Sequence, residues 1–174
     1  YRRQRQMCIR DRLLLTMFLK AEGIQNVYVE GNKDMQKHFA QKLGVDDEHY
    51  NVDNVVADYV FECVGKNETI NRAIELAAPA GNIVLVGNPY SEMNIPKDTY
   101  WKILRKQLKL SGTWNSSYAG ESGDDWHYVL NMLADGRIDP EQFITHEYPL
   151  DAIQKGMEIM RDKSEDYVKV MCIS

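Results

Sequence analysis

The sequence predicts an α/β fold, a parallel sheet with helices on both faces, and three observations predict it. Strand-like apolar runs alternate with helical patterns, the arrangement that crossover connections between parallel strands produce. Three of those runs end in loops that contain a glycine, at Gly31, Gly65 and Gly87. The chain has 174 residues, 44% hydrophobic and 27% charged, an ordinary composition for a globular protein with a core of its own.

In chain order, residues 13–22 (LLLTMFLKAE) are rich in helix formers, apolar almost all round, and followed by Gly23, so they read as a buried helix. Residues 26–30 (NVYVE) read as a strand followed by a turn at Gly31-Asn32. Residues 34–43 return to helix, with Met35, Phe39 and Leu43 along one face and Gly44 closing it. Residues 46–54 are polar, with a short strand possible at Tyr50 and Val52. Residues 57–64 (ADYVFECV) are a buried strand. Asn67 caps a helix through Ala78 that Pro79 and Gly81 end, and residues 82–86 form another apolar strand. A loop with Pro89 and Pro96 leads to a helix over 97–107, with Trp101, Leu104 and Leu108 on one side, and then to a strand over 108–114. After a turn at residues 120–123 come a helix (124–134, stopped by Gly136), a strand (143–148), a helix (151–161) and a strand (167–173).

The first twelve residues, YRRQRQMCIRDR, are strongly basic in a chain whose net charge is −5, and they carry neither strand alternation nor an apolar helical face. They are similar to translated sequencing-adaptor tracts, with a natural basic tail as the alternative. They are therefore set apart from the fold as residues 1–12.

The acidic total disfavours nucleic acid and anionic membrane as partners. The apolar run over residues 13–19 is too short to span a bilayer. Three cysteines without a CxxC pair support neither a cysteine-rich zinc site nor a disulfide framework, and suit a reducing cytoplasm. His38, His49, His127 and His146 lack metal-ligand spacing and are expected in surface or structural roles. The run Lys102, Arg105, Lys106, Lys109 reads as a solvated helix face.

In open parallel sheets ligands lie beyond the carboxyl ends of the strands, where glycine permits close backbone approach or a positive φ. Ordinary strand-to-helix turns would account for any one of the three glycines. Three in successive units point to a nucleotide site.

The stretch from Ile83 to Trp114 carries IVLVGNPY and then YWKILRKQLKLSGTWNSSY up to Tyr118, and the chain closes on ITHEYPLDAIQKGMEIMRDK and YVKVMCIS. These segments resemble the medium-chain zinc-type alcohol and polyol dehydrogenases, within them the galactitol-1-phosphate-dehydrogenase-like polyol group, and the order of elements fits from Leu13 onward. The resemblance implies a partial Rossmann-type, doubly wound dinucleotide-binding domain over residues 13–139 and a carboxy-terminal return segment of the catalytic domain over residues 140–174. It also implies that the glycine-rich phosphate turn and the amino-terminal catalytic domain, with the zinc ligands, precede Leu13. No catalytic or metal-binding residue is therefore carried onto this chain, and the fragment by itself is expected to have no turnover.

The same resemblance assigns candidate contacts. Glu30, Gly31, Asn32 and Lys33 face the adenosine ribose. Glu30 suits the hydroxyls of NAD, whereas Gly31, Asn32 and Lys33, where the family commonly has an aspartate in place of Gly31, suit the 2′-phosphate of NADP. A solvated turn is the alternative, and the two cofactors stay open. Cys63, Val64 and Gly65 lie along the adenosine side, with Cys63 a buried, unreactive thiol. Val86, Gly87 and Asn88, together with Gly112, Thr113 and Trp114, lie near the nicotinamide. Asn88, Trp114, Asn115 and Ser116 face substrate, although Trp114 could pack in the core and Asn115 and Ser116 could only cap a turn. Lys169 reaches the pyrophosphate or merely faces water. The implied reaction is oxidation of a secondary alcohol of a polyol or sugar phosphate to a ketone by NAD or NADP, with zinc supplied by the full-length enzyme. Sorbitol- and ribitol-phosphate-type dehydrogenases, a non-catalytic nucleotide-binding module and an interaction protein are the competing readings. A homo-oligomer, dimer or tetramer, is expected, with strand 108–112 pairing across a dimer.

Overall fold

The computed structural model describes residues 7–89, 91–120 and 122–173. Residues 1–6 of the basic tract, Tyr90 of the IVLVGNPY segment and Glu121 of the 120–123 turn lie outside the described residues. The chain divides into two compact units, one of residues 1–11 and 51–117, the other of residues 12–50 and 118–174.

The first unit is a three-stranded parallel sheet in the order β1-β2-β3, built from β1 (Ala57–Glu62), β2 (Ala77–Leu85) and β3 (Lys109–Gly112). Parallel neighbours need crossovers, and two helices provide them. Helix α3 (Asn67–Leu76) joins β1 to β2, and α4 (Lys97–Arg105) joins β2 to β3. Ala73, Ile74, Ala77 and Ile83 are almost fully buried between α3 and the sheet, with Val60, Ile70, Leu85, Ile103 and Leu108 packed around them. The apolar side of α4 is therefore Ile103 rather than the expected Trp101 and Leu104, which are each 51% exposed.

The helix expected through Ala78 ends at Leu76, and β2 begins at once, five residues earlier than expected. Pro79, Ala80 and Gly81 lie within β2, where the register with β1 shifts between the pairs Ala57–Ala77 and Tyr59–Asn82. Proline lacks the N–H that a regular ladder would use, so it suits such an irregularity. The basic run on and after α4 is not a bare solvated face either. The Lys106 ammonium donates to the carbonyls of Ile74 (3.1 Å), Glu75 (2.7 Å) and Ala77 (2.8 Å), closing the carboxyl end of α3 where helix carbonyls lack partners, while Lys102 pairs with Glu75.

The second unit holds α2 (Asp34–Lys42), α5 (Asp125–Ala134), α6 (Ile153–Asp162) and a two-stranded parallel sheet of β4 (Ile144–Pro149) and β5 (Lys169–Ile173). Helix α1 (Met7–Ala21) begins six residues before the expected Leu13, inside the tract set apart above. Leu13, Thr16 and Met17 are its buried residues. The strand expected over residues 26–30 is reduced to a single bridge between Val29 and Tyr50, with the Val29 N–H donating to the His49 carbonyl at 2.9 Å. Val27 and Val29 instead spend their side chains on an apolar cluster with Ala40, Val45 and Tyr50. Burial rather than a ladder thus accounts for the β-branched run.

Asp124 caps α5, as its position implies. Its carboxylate accepts from the His127 N–H (2.8 Å), the His127 ring (2.8 Å), the Ala119 N–H (2.7 Å) and the Gly120 N–H (3.2 Å). The His127 N–H first, then its ring and the Ala119 N–H, hold this carboxyl well below the usual carboxylate range.

Candidate functional site

The register of the three-stranded sheet brings one group of expected residues together. Glu62 pairs with Leu85, and Leu85 pairs with Gly112, so all three strands end at one level. The loops Cys63-Val64-Gly65 and Val86-Gly87-Asn88 and the segment Gly112-Thr113-Trp114 therefore leave from one edge of the sheet.

The first two loops are pressed together. Gly65 has φ +75, a left-handed conformation that side chains resist, and a Cβ placed on it would lie 1.9 Å from the Asn88 carbonyl oxygen. A Cβ on Gly87 would meet the Gly65 nitrogen at 2.3 Å and the Val64 nitrogen at 2.5 Å. Backbone therefore runs against backbone where a ligand beyond the strand ends would rest, and side chains at 65 and 87 are shut out. Glu62, which sequence reasoning passed over, sits behind this contact and is 3% exposed. Its carboxylate accepts from the Val64 N–H at 2.7 Å and the Gly65 N–H at 2.9 and 3.0 Å, and its carbonyl accepts from the N–H groups of Val86 (2.8 Å) and Gly87 (2.9 Å). A charge at the end of an apolar strand was the available signal, since a buried carboxylate needs partners.

The N–H groups of Val86 and Gly87 are both engaged by the Glu62 carbonyl. The Thr113 N–H is likewise spent on the Leu85 carbonyl at 3.1 Å.

A cavity of about 320 Å³ opens beside the same loops, within the size range of small-ligand sites. Its wall includes Glu62, Gly65, Leu85, Gly87, Met93 and Leu110. Asn67 fastens the segment that borders it, donating to the Glu92 carbonyl at 3.1 Å and accepting from the Asn94 N–H at 2.7 Å. Cys63 is buried, as expected of an unreactive strand thiol. Trp114 is 79% exposed and so is not a core residue, and Gly112, Thr113, Asn115 and Ser116 are exposed with it.

In the second unit the turn Glu30-Gly31-Asn32-Lys33 follows the Val29–Tyr50 bridge. Gln36, 3% exposed, accepts from the Asn32 N–H at 3.0 Å. A Cβ on Gly31 would meet the Tyr50 hydroxyl at 2.3 Å and the Gln36 side-chain oxygen Oε1 at 2.4 Å. That space is filled, which gives a physical reason for glycine at 31. Burial raises the Tyr50 phenol above its ordinary pKa. The Lys33 ammonium is paired with Asp166 rather than standing free for a phosphate, and Lys169 is exposed at the start of β5. Among the described residues no group of three or more His, Cys, Asp or Glu is arranged to hold a metal ion. Among the same residues no helix is long and apolar enough to cross a membrane.

Comparison with known proteins gives three findings. A family model described as zinc-binding dehydrogenase matches residues 13–135. Galactitol 1-phosphate 5-dehydrogenase of Escherichia coli (strain K12) is 29% identical over 87 residues, 50% of this chain and 25% of that protein, and L-threonine 3-dehydrogenase of Proteus mirabilis (strain HI4320) is 26% identical over 162 residues, 86% of this chain and 45% of that protein. The crystal structure of galactitol-1-phosphate dehydrogenase from Escherichia coli superposes with a TM-score of 0.79 at 20% identity, covering 93% of this chain and 50% of that one. That likeness shows the fold, and the chain spans half or less of the length of these relatives.

Proposed function

The chain belongs to the zinc-binding dehydrogenase family, and from that premise we propose that it is the cofactor-holding, carboxy-terminal part of a longer oxidoreductase. The proposed reaction converts a secondary alcohol of a polyol or sugar phosphate and NAD(P)⁺ into a ketone, NAD(P)H and a proton. Residues 13–139 are its incomplete dinucleotide-binding domain and residues 140–174 the return segment of its catalytic domain.

The observation that carries this reading is the closed contact of Gly65 with Gly87 and Asn88 at the level where three parallel strands end. Such an edge offers a ligand a smooth backbone surface beside an apolar cavity. When bound, the nicotinamide supplies the hydride acceptor. The protein's part is to bind and orient. Val64 and Gly65 present a backbone ledge to the adenosine side. Val86, Gly87, Asn88, Gly112 and Thr113 line the nicotinamide side, where Asn88, Trp114, Asn115 and Ser116 supply polar and aromatic groups for a hydroxylated substrate. Glu30, Gly31 and Asn32 face the ribose. Lys33 reaches a 2′-phosphate only by leaving Asp166, and Lys169 serves the pyrophosphate. Solved neighbours described as complexed with NADH and bound to NADP support a pyridine dinucleotide without choosing between the two. The exposed outer strand β3 is the proposed pairing edge of a homo-oligomer.

A second reading is favoured by one observation. The alignments with L-threonine 3-dehydrogenases cover 82–86% of this chain, further than the galactitol-type alignment, so an amino alcohol is the competing substrate class. The test is the complete reading frame, expressed with zinc and assayed for reduced nicotinamide with galactitol 1-phosphate, sorbitol, ribitol phosphate and L-threonine, each with NAD and with NADP. Turnover of a polyol substrate is the expected result. Turnover of threonine alone would transfer the assignment to the amino-alcohol class, and binding of neither dinucleotide would end both readings.

A further inference from the structure

We infer that Glu62 is a positioning residue of the dinucleotide cradle, one that fixes the shape of the Cys63–Gly65 and Val86–Asn88 loops without touching the reacting atoms. The inference rests on the dinucleotide reading above and adds to it a residue that reading does not use. Glu62 is the last residue of β1, at a level where an apolar side chain would complete the strand with no charge to compensate. The chain instead buries a carboxylate and surrounds it with backbone donors. One carboxylate oxygen accepts from both Val64 and Gly65, at 2.7 and 2.9 Å, and the other also reaches Gly65 at 3.0 Å. The carbonyl of the same residue takes Val86 at 2.8 Å and Gly87 at 2.9 Å. A single residue thus ties four amides of two different loops, and these are the loops whose backbones meet at Gly65 and Asn88. Releasing the carboxylate frees the first loop, with its left-handed Gly65, to relax away from the second. The ledge and the cavity wall beside it would then change shape together.

The geometry makes the role separable from charge. Because one oxygen accepts from both donors, Glu62→Gln keeps those two bonds while removing the charge, and it gives up only the second oxygen's contact with the Gly65 N–H. Glu62→Asp keeps the charge but draws it back by one methylene, and Glu62→Ala removes the group. The experiment uses the complete, zinc-loaded polypeptide. It compares the Kd for NAD and NADP, coenzyme KM against kcat, thermal midpoints, and amide exchange at Val64 and Gly65. Glu62→Gln should stay within about threefold of the wild-type Kd. Glu62→Asp and Glu62→Ala should weaken binding by about tenfold, raise coenzyme KM more than they lower kcat, and speed exchange at those two amides. The inference is overturned if Glu62→Asp binds as tightly as wild type while Glu62→Gln does not, since charge would then be the active property. It is also overturned if folded Glu62→Asp or Glu62→Ala retains full affinity. Should Glu62→Ala fail to fold, the Gln and Asp variants decide. A wild-type protein that binds neither dinucleotide would instead count against the functional reading, and amide exchange would still report whether Glu62 holds the loops.

Discussion

The ends of β1 and β2 differ from the end of β3, although each of the three strands meets a glycine at or just beyond its carboxyl end. At the first two, Gly65 and Gly87 are surrounded by backbone, and the amides of Val64, Gly65, Val86 and Gly87 are all bonded to Glu62. At the third, nothing lies within 4 Å of a Cβ placed on Gly112, and residues 109–120 are exposed throughout. The contrast teaches that a glycine after a strand marks a close approach only when a neighbouring loop arrives at the same level, and that the rigid part of this edge is the β1–β2 side.

That difference can be broken most directly at Gly65. Gly65→Ala forces a side chain into a left-handed backbone and against the Asn88 carbonyl, and it should cost about 3 kcal/mol or more, read as a lowered denaturant midpoint. Lys106→Met probes the opposite edge of the same sheet, where β2 begins. It strips three carbonyls at the end of α3 of their shared donor and should cost about 1–3 kcal/mol by the same measurement.

In the second unit, Asp124 gathers the Ala119 and Gly120 amides and the start of α5. Its carboxyl is held below its ordinary value of 3.8, so the stabilisation is complete above that pH and fades as pH falls through the lowered folded value. Asp124→Ala should therefore be less stable than wild type at neutral pH, with the gap narrowing as acid unfolding is followed below pH 3.8. The smallest effect belongs to Gly112→Ala, expected within about 0.5 kcal/mol of wild type. A large loss there would mean that β3 is covered in the assembled protein.

Much of the architecture was legible. The helices α2, α4, α5 and α6 and the strands β1, β3, β4 and β5 fall close to where periodicity and punctuation put them, because their apolar spacing and end residues are local properties. The 26–30 segment misled because Val27 and Val29 satisfy a strand pattern while their side chains serve burial and their backbone makes no more than one bridge. The end of α3 misled because Pro79 and Gly81 look like helix stops, yet they occupy an irregular stretch of β2 whose geometry depends on β1.

For the site, the sequence by itself determined which loops to watch, since glycine after an apolar strand is a local signal and the IVLVGNPY and GTWNSS segments carry the family's pattern. Only the tertiary structure decided which of those glycines are crowded, that the Val86 and Gly87 amides are already engaged, that Lys33 has a carboxylate partner in Asp166, and that Glu62 stands behind the loops. The physical reason is that each of these depends on a neighbour distant along the chain. Residue order fixes what a group can donate or accept, and the register of the strands fixes what it meets.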